Sequence, residues 1–520
     1  MPVAARFNIA SYFVDRHLIE GAGDRTALIH DDTTTSYAEL ATLVNRAGNL
    51  LHDLGVRRGD RVLLVLSDSL EFVACWYGAQ KIGAVTAEAY TFLPAKDYAH
   101  FLSYTEADVV IVDTVALAAV RQACGLGRTP KHLLVLGYDD NELLAGQGAN
   151  ELSLTAALAQ SSDQLTPAPT TVDDVAIWKF TTGSTGAPKA CVHTAGTPLA
   201  SYQTYAKSVL GIRPDDRVIA VPKLFFGYAR DLVALYPFAV GGAGIVFAER
   251  STPELLFELI ARHRATILVN VPTMMSAMLA SPAITDADLG SLRLCTSAGE
   301  ALPAELLRAW QQRVGVDVID GVGSSEAYHI YLSQRSGEAT PGDVGTPVPG
   351  YRARVVGDDG AELPPGEVGV LEISGPTVAQ GYHRDREKSA RTFRGDTVHT
   401  GDLFSVDERG HYYHHGRSDD LLKVGGIWVA PSEIEHCLIG HPDVVECGVV
   451  GHSEVGLVRP RAYVVLRAGA TTTEAELIGY ARERLAGHKR PRDVRFVTEL
   501  PRTSNGKLDR RALTAFEEQR

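Results

Sequence analysis

Several things are scarce in this sequence. Six cysteines (Cys75, Cys124, Cys191, Cys295, Cys437, Cys447) are scattered through 520 residues with no C-x-x-C pair. That leaves no disulfide framework and no zinc-ligand spacing. Positive charge is in deficit: 50 Lys and Arg against 63 Asp and Glu give a formal net charge of −13. A nucleic-acid partner, which would want a basic face, is not expected. No apolar run is long enough to span a bilayer, so no membrane partner is expected. The stretch Met1-Pro2-Val3-Ala4-Ala5-Arg6-Phe7 lacks a basic-then-apolar targeting pattern. A reducing cytoplasm is the expected setting. Internal repeats, low-complexity tracts and the G-x-x-x-x-G-K-[ST] phosphate loop are all missing.

What is present is a soluble globular composition, 45% hydrophobic and 22% charged, on a chain too long for one core. Short branched apolar runs alternate with helical periodicity: Arg61–Leu66, Val109–Asp113, Leu133–Leu136, Arg217–Val221 and Ile267–Asn270 between stretches such as Tyr37–Leu54 and Glu71–Ile82. This is the rhythm of crossover units on parallel sheets. From about Val344 short strands with frequent turns take over. After the polar break Ser418-Asp419-Asp420 a compact α+β pattern follows. The expected fold class is α/β. It has a large N-terminal domain of parallel-sheet α/β subdomains plus a β-rich subdomain, and a small mobile α+β C-terminal domain. The expected boundaries are 1–418, a hinge at 419–421, and 422–520.

One loop carries chemistry on its face: Thr181-Thr182-Gly183-Ser184-Thr185-Gly186-Ala187-Pro188-Lys189. Glycines let backbone N–H groups approach phosphate oxygens, hydroxyls add donors, and the lysine adds a point charge. Five more strings follow in order. They are Ser297-Ala298-Gly299-Glu300-Ala301-Leu302-Pro303, Asp320-Gly321-Val322-Gly323-Ser324-Ser325-Glu326, Thr400-Gly401-Asp402, Gly416-Arg417-Ser418-Asp419-Asp420 and Asn505-Gly506-Lys507. Singly, each reads as an ordinary turn. Together they resemble the adenylate-forming superfamily of acyl-CoA synthetases over essentially the whole chain. Lys223-Leu224-Phe225-Phe226 and His329-Ile330-Tyr331-Leu332-Ser333 are most similar to the benzoate-CoA ligase group.

The resemblance implies two steps: a carboxylate attacks the α-phosphate of MgATP, and a thiol then displaces AMP from the acyl-adenylate. It also implies roles. Thr181, Thr182, Gly183, Ser184, Thr185, Gly186 and Lys189 would hold the outer phosphates. Glu326 would ligate Mg²⁺, with Ser325 donating to the α-phosphate. Gly299, Glu300 and Ala301, with Asp320, Gly321 and Val322, would frame adenine. Asp402 would take the ribose hydroxyls, and Arg417 ribose or phosphate. Lys507 would stabilise the charge as the P–O bond forms. Asp419 would be the hinge, and Lys423, Gly425 and Gly426 the thiol channel. Phe226, Gly227, Tyr228, Gly323, His329 and Ile330 would line the acid slot, a short space suited to an aromatic ring. For His329, packing beneath the nucleotide and contact with the substrate carboxylate both stand.

The implied partners are an aromatic acid, ATP and CoA. A carrier-protein phosphopantetheine is the alternative acceptor, and the chain is a monomer or homodimer. Activation of a non-carboxylate such as nitrite, and a non-catalytic nucleotide-binding protein, are the other readings. Retention of Glu326, Asp402 and Lys507 speaks against the last. Two departures stand out. Tyr228-Ala229-Arg230-Asp231-Leu232 replaces an uncharged Tyr-Gly-Leu-Gly-Asn segment, and Ala87-Glu88-Ala89-Tyr90 replaces an apolar stretch. The expectation is a solvated ion pair, Arg230–Asp231, at the pocket rim. The alternative is recognition of a hydroxyl or amino group on the ring.

Overall fold

The computed structural model describes residues 6–138, 151–181, 188–338, 340, 342–424, 427–454, 457–502 and 508–515. Two large sheets organise the N-terminal part. In the first, six strands run parallel in the order Glu151–Ser153, His132–Leu136, Val109–Asp113, Arg61–Val65, Val85–Glu88 and Val175–Thr181. Lys189–Thr194 closes one edge antiparallel. In the second, six central strands are also parallel: Val318–Gly323, Leu294–Ala298, Ile267–Asn270, Arg217–Ala220, Ala243–Val246 and Thr26–His30. Antiparallel strands Ile330–Ser333, Thr346–Pro347 and Thr33–Ser36 complete its edges. Central strands such as Val109–Asp113 are buried at every position, which explains their unbroken apolar runs.

Local sequence sets the helices between them. Ser36 and Glu39 form a capping box at the start of Tyr37–Asp53: the Glu39 amide donates to Ser36 Oγ at 3.2 Å and the Ser36 amide to Glu39 Oε2 at 2.8 Å. That helix buries Leu40, Val44, Ala47 and Leu51, about 1.5–3 kcal/mol for each large side chain. It packs on Leu70–Lys81 so closely that a Cβ on Gly78 would lie 2.7 Å from the Gly48 nitrogen. Asp113 ties a strand end to its neighbour, capping Thr114–Leu126 through the Ala116 amide and accepting from the Ser67 amide at 2.6 Å.

The expected β-rich subdomain is an antiparallel sheet of Arg352–Val356, Gly369–Ser374, Thr397–Val406, Phe393–Arg394 and Tyr412–Arg417. Asp419 lies in the short 3₁₀ turn Ser418–Asp420 that follows it. The C-terminal domain has its own sheet, Val444–Glu454, Leu457–Leu466 and Asp493–Phe496, and its own core around Ile434, Val449, Val464 and Leu477. The fold is α/β with a separate C-terminal domain. Among the described residues, no helix is long and apolar enough to cross a membrane.

Candidate active site

Part of the candidate set lies at the carboxyl ends of the parallel strands, where open α/β sheets bind their ligands; Asp402 and Arg417 lie on the antiparallel sheet instead. Val175–Thr181 ends at Thr181, Leu294–Ala298 runs into Gly299, and Val318–Gly323 carries Asp320, Gly321, Val322 and Gly323. Thr182, Gly183, Ser184, Thr185 and Gly186 lie outside the described residues, as do Gly425, Gly426 and Lys507. Thr181 pairs with Lys189 across the hairpin, and the Lys189 ammonium is engaged by Asp385.

Ser325 and Glu326 sit on the turn that follows Gly323. Ser325 Oγ donates to the Phe180 carbonyl at 3.2 Å, and its own carbonyl is 2.7 Å from His193 Nε2. Glu326 Oε1 accepts from the Tyr382 hydroxyl at 2.7 Å. Sequence reasoning did not single out Tyr382, although it stands in the Gly381-Tyr382 pair of a turn-rich stretch. Asp402 and Arg417 face each other on adjacent strands, Oδ1 to Nη1 at 3.0 Å, and Arg417 also approaches Asp419 at 3.8 Å. Gly299 has a φ of +88°, a backbone that favours glycine. Gly299, Glu300 and Ala301 are exposed, and the Glu300 carboxylate accepts from the amide and hydroxyl of Thr273 at the head of Pro272–Ala280. Asp320 is buried; burial, only partly offset by Ser297 and the Gly321 amide, pushes its carboxyl up to about 7. Lys423 is exposed on the strand Leu422–Val424.

The acid-side candidates fall into two ring groups, one around His329 and Tyr228 and one around Phe226. His329 Nε2 lies 3.3 Å from the Tyr228 carbonyl, and its ring packs against Tyr205, Tyr228 and Tyr236 at 5.2–5.5 Å. Burial drives the imidazole down to about 3, so it is neutral at physiological pH, and its Nδ1 has no partner. Tyr228 directs its hydroxyl to Thr296 Oγ1 at 2.7 Å. Phe226 stacks obliquely on Tyr90 at 4.7 Å, and Ile330 is buried. Gly323 has a packing reason to be glycine: a Cβ there would sit 2.4 Å from the His329 carbonyl oxygen. A Cβ on Gly227 would meet the Lys179 ammonium at 2.6 Å, so its small size makes room for a lysine.

The expected rim pair is overturned. Arg230 and Asp231 are not solvated: their side chains are 3% and 0% exposed, and each has a further partner. Arg230 Nη1 reaches Glu88, itself 5% exposed, and its guanidinium lies over Trp76 at 4.9 Å. Trp76 Nε1 also donates to Glu88 at 2.7 Å. Asp231 Oδ2 accepts from Lys179 Nζ at 2.8 Å. The two departures at 88 and 230–231 are thus halves of one buried network, balanced by Lys179. Helix Gly227–Ala234 is buried around its whole circumference from 229 to 234, so both side chains end up inside. Burial would raise the Asp231 carboxyl, but Arg230 and Lys179 outweigh it and hold it at about 2. Burial lowers the Lys179 ammonium to about 8 despite Asp231. The network does not offer Arg230 to a ring substituent, since its hydrogen bonds run to Asp231, Glu88 and Tyr328.

Tyr328 has a φ of +72°, a conformation costing a bulky residue about 1–3 kcal/mol. Lys179 donates to its carbonyl at 2.7 Å and sits 3.5 Å from its ring centroid. Neither residue was singled out from the sequence. The one available signal was a charge inside the otherwise apolar run Val175–Phe180.

With this geometry in view, the comparisons with known proteins decide the family. The model described as AMP-binding enzyme matches residues 16–383, and that described as AMP-binding enzyme C-terminal domain matches 433–507. The chain is an AMP-binding enzyme. This AMP-binding enzyme is 41% identical to the benzoate–CoA ligase of Thauera aromatica over 514 residues, 98% of this chain and 96% of that protein. It is 35% identical to a 4-hydroxybenzoate–CoA/benzoate–CoA ligase of Rhodopseudomonas palustris, covering 97% and 93%. Among solved structures, the anthranilate CoA ligase AuaEII with anthranoyl-AMP superposes with a TM-score of 0.93 at 36% identity, covering 99% and 98%. A benzoate CoA ligase from Burkholderia xenovorans LB400 gives 0.88 at 36%, covering 98% and 99%. In this AMP-binding enzyme the His329 ring is packed among tyrosines, and Glu88, Lys179, Arg230 and Asp231 are paired with one another.

Proposed function

We propose that the protein is an acid–thiol ligase that activates an aromatic carboxylic acid with ATP and transfers the acyl group to CoA. The observation that carries this is the ring cluster in which His329, three residues after Glu326, packs against Tyr205, Tyr228 and Tyr236 beside the buried Ile330. Relatives that align nearly end to end and are named as ligases of benzoate, hydroxybenzoate and anthranilate support it.

In the first step a carboxylate oxygen bonds to the α-phosphorus and the bond to pyrophosphate breaks. In the second the thiolate bonds to the acyl carbon and AMP leaves with the former carboxylate oxygen; the thiol proton passes to solvent. Glu326 suits Mg²⁺. It is half-buried, and Tyr382 fixes one oxygen. Among the described residues no group of three or more ligating side chains competes for a metal. A single carboxylate beside a polyphosphate is how Mg²⁺ is ordinarily held. The metal would neutralise phosphate charge. Asp402 and Arg417 would hold the ribose, Lys507 would reach the reacting oxygens, and Asp419 would serve as the hinge. The proposed domain limits are 1–418 and 422–520.

The acid is proposed to be a hydroxy- or amino-substituted benzoate. Support comes from the unpartnered Nδ1 of His329 and from the named substrates of the relatives, not from Arg230. A polar group in such a site discriminates strongly against the analogue that lacks it. The experiment is pyrophosphate release across benzoates with hydroxyl, amino and halo groups, each with and without CoA. Release with none of them would overturn the aryl-acid reading. Release without thioester formation on CoA would point to a carrier-protein phosphopantetheine as acceptor.

A further inference from the structure

We propose that Lys179 is a positioning residue: its ammonium holds Tyr328 in the left-handed conformation that aims Glu326 and His329. The inference rests on the roles proposed above for those two residues. Among the described residues five non-glycine positions have positive φ, and Tyr328 is the buried aromatic one. The others are Asp31, Glu106, Arg264 and Arg384, and Glu106 and Arg264 end helices. A strained backbone inside a core persists only where its surroundings over-determine it.

The buried network does this at three points. Lys179 Nζ donates to the Tyr328 carbonyl at 2.7 Å and covers its ring at 3.5 Å. The Tyr328 hydroxyl donates to Asp231 Oδ1 at 3.2 Å. Arg230 Nη2 lies 3.4 Å from that same hydroxyl. Tyr328 stands two residues after Glu326 and immediately before His329, so a rotation of the peptide it holds would redirect both. Gly227 completes the arrangement, because any side chain there would displace the ammonium. Lys179 itself is behind this wall, 6% exposed and bonded to Asp231 and the Tyr328 carbonyl, so it acts through Tyr328 and not on the substrate.

The test is kinetic, with full-length protein, ATP and an acid that the unaltered enzyme turns over. A wrong choice of acid class then shows in the unaltered enzyme, and a wrong role for Lys179 shows only in the variants. Lys179→Met should lower kcat for pyrophosphate release at least tenfold, with KM for ATP and for the acid within threefold. Lys179→Met also takes the donor from Asp231 Oδ2 and leaves the buried network one negative charge in excess, so the double variant Lys179→Met/Asp231→Asn, which removes one charge of each sign, is measured beside it. The double variant should regain thermal stability while kcat stays low, because no donor returns to the Tyr328 carbonyl. Recovery of kcat along with stability would make the network a stability element only and overturn the proposal. So would a Lys179→Met enzyme with unchanged kcat, or one whose loss lies in the KM of the acid.

Discussion

Two sets of charges flank the candidate site, and they are built oppositely. Behind the proposed acid cluster, Glu88, Lys179, Arg230 and Asp231 are almost wholly buried and bonded to one another. On the proposed nucleotide side, Glu326, Asp402 and Arg417 are half-buried or more open; Tyr382 donates to Glu326, and Arg417 meets Asp402 across a strand pair. A buried charge without a partner is costly, so the first set is closed to ligands. The second can exchange a contact with protein or water for one with a ligand. The contrast separates charges that shape a site from charges that meet what enters it.

The strongest way to break this contrast is to open the closed set. Arg230→Met leaves Glu88 buried without its cation and should destabilise the fold by about 3–5 kcal/mol in urea unfolding. The ratio of kcat/KM for a hydroxybenzoate over benzoate should stay within threefold in whatever folded enzyme remains. A tenfold change in that ratio would put Arg230 back at the substrate.

Glu326→Ala makes the opposite demand. Pyrophosphate release should fall at least a hundredfold, about 3 kcal/mol of transition-state stabilisation, with little change in the urea midpoint. If stability fell and activity did not, the open set would be structural after all. Asp402→Ala is milder. Loss of a charged acceptor, roughly 1.5–3 kcal/mol, should raise the KM for ATP tenfold or more and leave that for the acid unchanged.

Asp320 sharpens the comparison, since it is buried like the closed set yet its Oδ1 has no partner. Its folded pKa, about 7, is raised above the unfolded value. Its favourable contribution is therefore full below the unfolded pKa and is lost as pH rises towards 7. Between pH 5 and 7 the unaltered protein should lose on the order of 2 kcal/mol more stability than Asp320→Asn, by denaturant unfolding at each pH. Equal losses would mean that the carboxyl has a partner in solution.

Much of the fold is legible in the sequence, for a plain reason. Strands such as Val109–Asp113 and Ile267–Asn270 are buried on both faces, and burial forces branched apolar runs. Edge strands such as Thr33–Ser36 are half-exposed and carry no such mark. Glu326 and Asp402 can be found because their motifs are local. The network cannot, because its bonds join residues far apart: Arg230 to Glu88 across 142 positions, Lys179 to Asp231 across 52. Sequence shows two charges side by side at 230–231 and invites the wrong conclusion that they answer only each other. The Tyr328 backbone is illegible for another reason. Nothing about a tyrosine announces a left-handed φ; the lysine bonded to its carbonyl lies on a strand 149 positions away.

The strand Val175–Thr181 has a consequence of its own. Lys179 and Thr181 are two residues apart and so point to the same side of the sheet, about 7 Å from one another. One stretch of extended backbone therefore sets the spacing between the acid wall and the start of the hydroxyl-rich loop. Inserting or deleting one residue in it would present Trp178 or Phe180 in place of the lysine and disconnect the two ends. Side-chain exchanges on helix Gly227–Ala234 leave this interval intact, whereas a change in the strand's length would unset both ends together.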